Sequence, residues 1–288
     1  MQRIKKEHKT NIEKIRKDSG HILSSHAFSS LYLWQDIMEL SLYCEKEFFV
    51  LKCGMNGENS YFFPCGKEER IYEFISRCLQ NKSLAFCYMR VEDVKWLEER
   101  FPDKWKFRRK EECDEYIGDI QEYIALQGSK FSEIRRKIRK IDKEYQITSA
   151  IITDETVKDA MEVISKWNSV EHSVSKQNIT DDYMAELALQ EREFLDISGI
   201  ILYANSQPVC VFAGFPISED TIDIVIGKNC PDAPKGITYY GLREYLKTYG
   251  NGYMYCNHEE DLGIPGIRQM KNSLFPVFKI PIWEAVLK

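Results

Sequence analysis

Apolar and polar positions along this chain recur with two periods. Short apolar runs such as FFVLKC (48–53) and LAFCYM (84–89) have the length and texture of buried strands. SYFF (60–63) follows the first run across a Gly/Asn turn, MNGEN, so the pair reads as a β-hairpin. Residues 67–80 switch to helical spacing, with Ile71, Phe74, Ile75 and Cys78 on one face. A short helix with Val94 and Leu97 inward and a strand near EYIGDI (115–120) come next. A basic helix then carries Phe131, Ile134, Ile138 and Ile141 at i, i+3, i+7, i+10.

The second half restarts the alternation. QITSAII (146–152) reads as a strand, and 155–167 as a helix with Val157, Ala160, Met161, Ile164 and Trp167 on one face. A helix over about 180–194 precedes three strands, GIILYA (199–204), PVCVFAGF (208–215) and TIDIVI (221–226). Asn205-Ser206 and Ser218-Glu219-Asp220 supply the turns between them. A helix over 236–249 turns Tyr239, Leu242, Leu246 and Tyr249 inward. YMYC (253–256), the segment NHEEDLGIPGIRQMKNSLFP (257–276) and a last strand VFKIPI (277–282) complete the pattern.

Strand, helix, helix, three antiparallel strands, helix, strand, helix, strand is the order of an N-acetyltransferase (GNAT) fold, and the first half approximates it. The expected class is α+β, with two tandem GNAT-like domains of the acyl-CoA N-acyltransferase type. Each would have a mixed, mostly antiparallel sheet flanked by helices. The expected domains are residues 1–145, ending with the basic helix, and 146–288, carrying the transfer site. No Pro/Gly/Ser-rich linker separates them.

Composition narrows the class. At 288 residues, with 43% hydrophobic and 12% aromatic content, the chain is globular and long enough for two cores. A net charge of -5 argues against wholesale nucleic-acid binding, but RIKKEHKTNIEKIRK and KFSEIRRKIRKIDK are locally basic. Nine cysteines without a CxxC pair, and five dispersed histidines, fit neither a disulfide framework nor a metal site. No apolar run approaches the about 20 residues of a membrane span. The expectation is a cytoplasmic protein without stable membrane insertion, whose basic N-terminus is a solvated helix or touches an anionic surface.

Three segments carry a family resemblance. ECDEYIGDIQEYIALQGSKFSEIRRKIRKIDKEY (112–145), VFAGFPISEDTIDIVIGKNCPDAPKGITYYGLREYL (211–246) and YCNHEEDLGIPGIRQMKNSLFPVFK (255–279) resemble the C-terminal catalytic domain family of bacterial phosphatidylglycerol lysyltransferases. The last is the most specific. Its Asn257, Asp261, Gly263, Gly266, Arg268 and Lys271 match that family's Asn-x-x-x-Asp-Leu-Gly-x-x-Gly-hydrophobic-Arg-x-x-Lys spacing. The resemblance runs from about residue 48 onward. It implies two tandem GNAT-type domains and transfer of an acyl or aminoacyl group, as in the architecturally similar peptidoglycan-bridge transferases. The lysyltransferases carry a membrane-spanning N-terminal region that is not seen here, so a lipid acceptor is not implied directly.

The residues suggest where such chemistry would sit. A helix N-terminus after a central strand favours a donor's phosphates, and Lys228, Lys235, Gly236, Ile237 and Thr238 occupy that place. The Arg/Gln-x-x-Gly-x-Gly/Ala signature is absent, so the donor is either acyl-CoA or aminoacyl-tRNA, with no metal. Acyl transfer needs a proton acceptor and oxyanion donors. Asp261 or Glu260 can act as base, N–H groups around Gly263 and Gly266 can act as donors, and Arg268 or Lys271 can hold an acidic group beside Asn257. Equally, Asp261 can cap a helix that Pro265 enters and that Ile267, Met270 and Leu274 anchor. Arg135 and Arg139 lie at i, i+4 on the basic helix, where they either bind a phosphate, tRNA included, or remain solvated. His258 reads as a solvated neighbour or a base, Cys230 and Cys256 as packing residues. The reading is an acyl- or aminoacyltransferase acting on a small-molecule, lipid or peptide amine or hydroxyl. The alternative is a non-catalytic GNAT-like module that binds an anionic ligand or tRNA.

Overall fold

A computed structural model describes residues 1–56, 60–80, 83–174 and 182–288. The end of the expected MNGEN turn and the start of the helix expected from 180 lie outside the described residues. In chain order the elements begin with helices α1 (Lys9–Asp18) and α2 (Phe28–Trp34). Strands β1 (Leu40–Glu45), β2 (Phe48–Cys53), β3 (Ser60–Phe62) and β4 (Cys65–Gly66) follow. Next come α3 (Glu68–Cys78), β5 (Ala85–Met89), α4 (Val91–Arg100), β6 (Trp105–Arg109), β7 (Glu115–Asp119), α5 (Ile120–Ala125) and α6 (Ser132–Glu144). After β8 (Ile147–Ile151), α7 (Val157–Val174) and α8 (Asp182–Gln190) stand β9 (Ser198–Ala204), β10 (Gln207–Pro216) and β11 (Thr221–Asn229). The chain closes with α9 (Ile237–Tyr249), β12 (Tyr255–Asn257), α10 (Pro265–Ser273), β13 (Phe278–Ile280) and β14 (Trp283–Leu287).

The described residues fall into two compact units. The first comprises Met1–Tyr116, Glu259–Gln269 and Lys279–Lys288, the second Ile117–His258 and Met270–Phe278. They part at Tyr116, ahead of the basic helix, where the sequence pattern suggests a boundary near residue 145. Among the described residues the strands build two sheets. One runs β1-β2-β3-β5-β14-β6 with β4 on β2, and the other β13-β7-β12-β11-β10-β9-β8. Pairing is mostly antiparallel, with parallel steps between β3 and β5 and between β11 and β12.

In the first unit, β2 and β3 form the expected hairpin pairing, Lys52 opposite Tyr61. Helix α3 turns Ile71, Phe74 and Ile75 into a core of Phe48, Phe63, Phe86, Leu97 and Trp105. Four strands depart from the expectation, the two-residue β4 among them. LSLYCE forms β1, WKFRR forms β6, and WEAVL forms β14, which pairs with both β5 and β6. β6 alternates with exposed cations and β14 follows Pro281, so neither shows the continuous apolar texture of a buried strand. The basic N-terminus is not a plain solvated helix either. Ile12 and Ile15 are buried, and Arg16 is buried with them, donating to Glu13 and to the His21 carbonyl.

The second unit follows the expected order. α6 buries Ile134, Ile138 and Ile141 against Phe212, Leu242, Tyr245 and Leu246, each isoleucine contributing about 1.5–3 kcal/mol. Asn205 and Ser206 both have positive φ (50° and 66°), the backbone of a tight two-residue hairpin turn between β9 and β10. Among the described residues no helix is long and apolar enough to cross a membrane.

Candidate functional site

Two arrangements stand out, one in each unit. In the second unit β11 is the central strand. Its parallel ladder with β12 covers only Thr221–Asp223 opposite Tyr255–Asn257, whereas β11 itself continues to Asn229. On its other edge, Gly214 faces Ile224 and Ala213 faces Ile226, so Val225 is an extra, bulged residue. The β11–β12 ladder therefore ends at Asp223, before the bulge, and β11 runs on past Val225 to Asn229. Lys228 lies there, buried, its ammonium 5.4 Å from the Trp167 ring centroid.

The chain then turns into α9. Gly236 has φ +100°, a left-handed conformation, and a β-carbon there would sit 2.8 Å from the Lys137 β-carbon of α6. Thr238 Oγ1 donates to Asn229 Oδ1 at 3.0 Å, tying the first turn to the end of β11. The Ile237 and Tyr239 N–H groups already donate to the Pro234 and Gly236 carbonyls at 2.9 and 3.1 Å. Lys235 is exposed. Lys235–Thr238 run consecutively into the helix while Lys228 lies on β11, and the helix start keeps few N–H groups for an external anion.

The second unit also holds Asn257, Lys271, Arg135 and Arg139. Asn257 is fully buried in the ladder, and Lys271, nearly buried, donates to the His258 carbonyl. His258 is no solvated neighbour: it is buried, its Nε2 3.4 Å from Cys256 Sγ. Burial first and Lys271 second push its pKa down to about 3. Arg135 turns inward and closes the turn before α6 by donating to the Leu126 and Gly128 carbonyls. Arg136 pairs with Glu133 and Lys140 with Glu144, Lys137 lies over Tyr239, and Arg139 is exposed. Most of the helix's charge is thus engaged locally.

The first unit holds Glu260, Asp261, Gly263, Gly266 and Arg268. Asp261 does not cap the helix, which begins at Pro265. Its buried carboxylate accepts from Tyr116 Oη at 2.5 Å, Gly263 N at 2.8 Å, and Arg268 Nε and Nη2 at 2.7 and 2.8 Å. Burial opposes its ionisation, yet the bonds from Arg268, Tyr116 and Gly263 outweigh burial and hold the carboxyl below its ordinary range. Glu259, Leu262 and Gly263 all have positive φ (56°, 53° and 72°), so a strained loop is fixed around one carboxylate. Gly266 is exposed and a β-carbon there would meet nothing. Glu260 is half-buried and accepts from Tyr88 Oη at 3.2 Å. Tyr116, Tyr88 and Lys137 are absent from the sequence reading, since a polar atom on an otherwise regular strand or helix leaves no pattern.

A family model described as "Phosphatidylglycerol lysyltransferase, C-terminal" matches residues 16–285. Among solved structures, a conserved protein of unknown function from Bacteroides thetaiotaomicron superposes with a TM-score of 0.89. It is 23% identical, over 100% of this chain and 99% of that one. L-PGS from Bacillus licheniformis superposes at 0.66, with 16% identity over 96% of this chain and 90% of that one. FemX superposes at 0.61, with 8% identity over 98% and 96%. No curated protein matches the sequence. At these identities the structural likeness shows the fold alone: α+β, with two mixed, mostly antiparallel sheets flanked by helices.

Proposed function

The chain belongs to the phosphatidylglycerol lysyltransferase C-terminal family, and from that premise we propose that it moves an aminoacyl group from an aminoacyl-tRNA ester to an amine or hydroxyl acceptor. The observation that carries this reading is that β11 runs on from Asp223, where its ladder with β12 ends, to Asn229, which Thr238 ties to the first turn of α9. A strand that outlasts its neighbour offers backbone N–H groups to a carbonyl oxygen as negative charge develops on it. In the reaction the acceptor nitrogen or oxygen forms a bond to the ester carbonyl carbon. The bond from that carbon to the ribose oxygen breaks, and the acceptor's proton ends on the departing ribose hydroxyl.

A tRNA ester suits the opening better than a coenzyme A thioester. A thioester donor carries a pyrophosphate that needs several N–H groups, and Ile237 and Tyr239 have already committed theirs. Lys228, Lys235 and Thr238 then serve the donor's terminal phosphates and sugar. The acceptor is a small molecule, a lipid headgroup or a peptide that carries the attacking group. Thermal shift and filter binding against charged tRNA, uncharged tRNA, coenzyme A and acetyl-CoA test the donor. Binding of charged tRNA that weakens steeply with salt and again on Lys235→Glu is expected. Stabilisation by acetyl-CoA without tRNA binding would overturn the reading. Tight tRNA binding without loss of the ester would favour a binding module.

A further inference from the structure

Lys137 stands apart from the other cations of α6. Arg135 braces the turn before the helix, while Arg136 and Lys140 pair with Glu133 and Glu144. Lys137 is half-buried and forms no ion pair among the described residues. Glu133, whose charge it feels, is bound by Arg136. The Lys137 stem lies instead across the backbone of Gly236. A β-carbon at that glycine would come within 2.8, 3.3 and 3.4 Å of the Lys137 β-, δ- and γ-carbons. The left-handed φ of +100° and the missing side chain at Gly236 together admit this approach of α6 to the start of α9. The stem leads to Tyr239, and the ammonium rests 4.8 Å from the ring centroid, within cation–π range. The Tyr239 hydroxyl lies 2.8 Å from Ser273 Oγ, which fixes the ring in turn.

This is an unfavourable place for a charge. A helix N-terminus carries the positive end of the macrodipole, so cations there are repelled and acids favoured. The first turn of α9 has no acidic residue. Lys235 directly precedes Gly236, and Lys137 adds a second ammonium from α6. Stability of the chain alone does not account for cations at the positive end of a helix, whereas a bound anion turns each repulsion into an attraction. The N–H groups of Ile237 and Tyr239 are committed to the Pro234 and Gly236 carbonyls, so the ammonium groups supply the attraction.

We propose that Lys137 binds a phosphate of the donor at the start of α9, and that Gly236 and Tyr239 position its ammonium. The inference rests on the transferase reading above, to which it adds a cation from α6. A phosphodiester of tRNA and the pyrophosphate of coenzyme A present the same kind of oxygen to an ammonium. A ring face holds that ammonium without taking up its hydrogen bonds as a carboxylate would, so its donors stay available to the phosphate.

Filter binding of charged tRNA across a salt series tests this with Lys137→Gln, Tyr239→Leu, Tyr239→Phe and Lys143→Gln, the last an exposed lysine of the same helix. Loss of one phosphate contact lowers the slope of log K against log salt by about 0.7–0.9 and the affinity at low salt by about fivefold, and both are expected of Lys137→Gln. Lys143→Gln should stay within about 1.5-fold of wild type. Tyr239→Leu should weaken binding about threefold alone and leave it unchanged beside Lys137→Gln, because it acts through the lysine. Tyr239→Phe keeps the ring and should bind within about twofold of wild type. A salt slope that Lys137→Gln leaves unchanged, or equal losses from Lys137→Gln and Lys143→Gln, overturns the inference. The ring current of Tyr239 also shifts the NMR signal of the Lys137 ε-methylene, which follows the site without any transfer. Wild type that binds no tRNA defeats the donor reading. The inference then survives if coenzyme A or inorganic pyrophosphate moves the Lys137 signal, and falls if neither does.

Discussion

Three histidines are buried where they cannot carry charge, which makes acid a sharp probe of the fold. His21 and His26 stack in the first unit with ring centroids 3.9 Å apart, and His258 lies in the second. Among the described residues neither ring nitrogen of His21 has a hydrogen-bond partner, while a His26 ring nitrogen lies 2.9 Å from the Phe63 carbonyl. Two cations face the pair: Arg16, bound to Glu13, and Arg90, bound to Asp93. Burial leads, with His26 and these arginines adding, in pushing His21 far down, and burial brings His26 to about 3. The unfolded chain, with histidine near pH 6.5, therefore binds protons that the folded chain refuses. Stability falls as pH drops below about 6.5 and stops falling only near the folded pKa.

At one unit below 6.5 each such histidine costs about 1.4 kcal/mol, so the three together cost about 4 kcal/mol between pH 7.5 and 5.5. Carboxylates with lowered pKa, Asp261 among them, contribute only at lower pH, so this window isolates the histidines. Urea titrations followed by circular dichroism should show the midpoint falling by about 1–2 M across it. His26→Gln should remove about a third of that dependence. A midpoint unchanged between pH 7.5 and 5.5, or a dependence that His26→Gln leaves intact, would refute the argument from burial.

The remaining expectations concern the loop and the basic helix. Asp261→Ala removes the carboxylate that accepts from Tyr116 Oη and Gly263 N while half-exposed Arg268 regains water, so a loss of about 2–4 kcal/mol should appear in urea unfolding. Arg268→Ala should cost less than Asp261→Ala, since it strands a buried carboxylate that can be protonated. Arg135→Ala should destabilise the turn before α6 by about 1–2 kcal/mol, and Arg139→Ala should stay within about 0.5 kcal/mol, both read by denaturation.

The second unit was largely legible because its elements are long and periodic. The Ile stripe of α6, the paired strands β9 and β10 and the inward face of α9 all announce themselves by spacing. The first unit was harder. β6 and β14 are short, carry charges on their outward positions, and pair with strands distant in sequence, so their burial depends on neighbours that no local window contains. The segment 257–276 stands out in the sequence, but its architecture does not. Nothing local says that Asp261 would meet Tyr116, a residue far earlier in the chain, and so build a loop rather than cap a helix. Likewise the pull of Arg135 onto the Leu126 and Gly128 carbonyls turns an apparent phosphate-binding row into a turn brace.

Transfer of an aminoacyl group off tRNA, as proposed above, can be followed directly. A single-turnover reaction of purified protein with isotopically labelled aminoacyl-tRNA, given amine-bearing peptides and hydroxyl-bearing lipid vesicles in turn, measures this directly by mass spectrometry. The tRNA ester should be lost in step with an acceptor heavier by one aminoacyl residue, and Lys235→Glu should slow both changes. Label that stays on the tRNA, together with an acceptor modified only when an acyl-CoA is supplied, would contradict it.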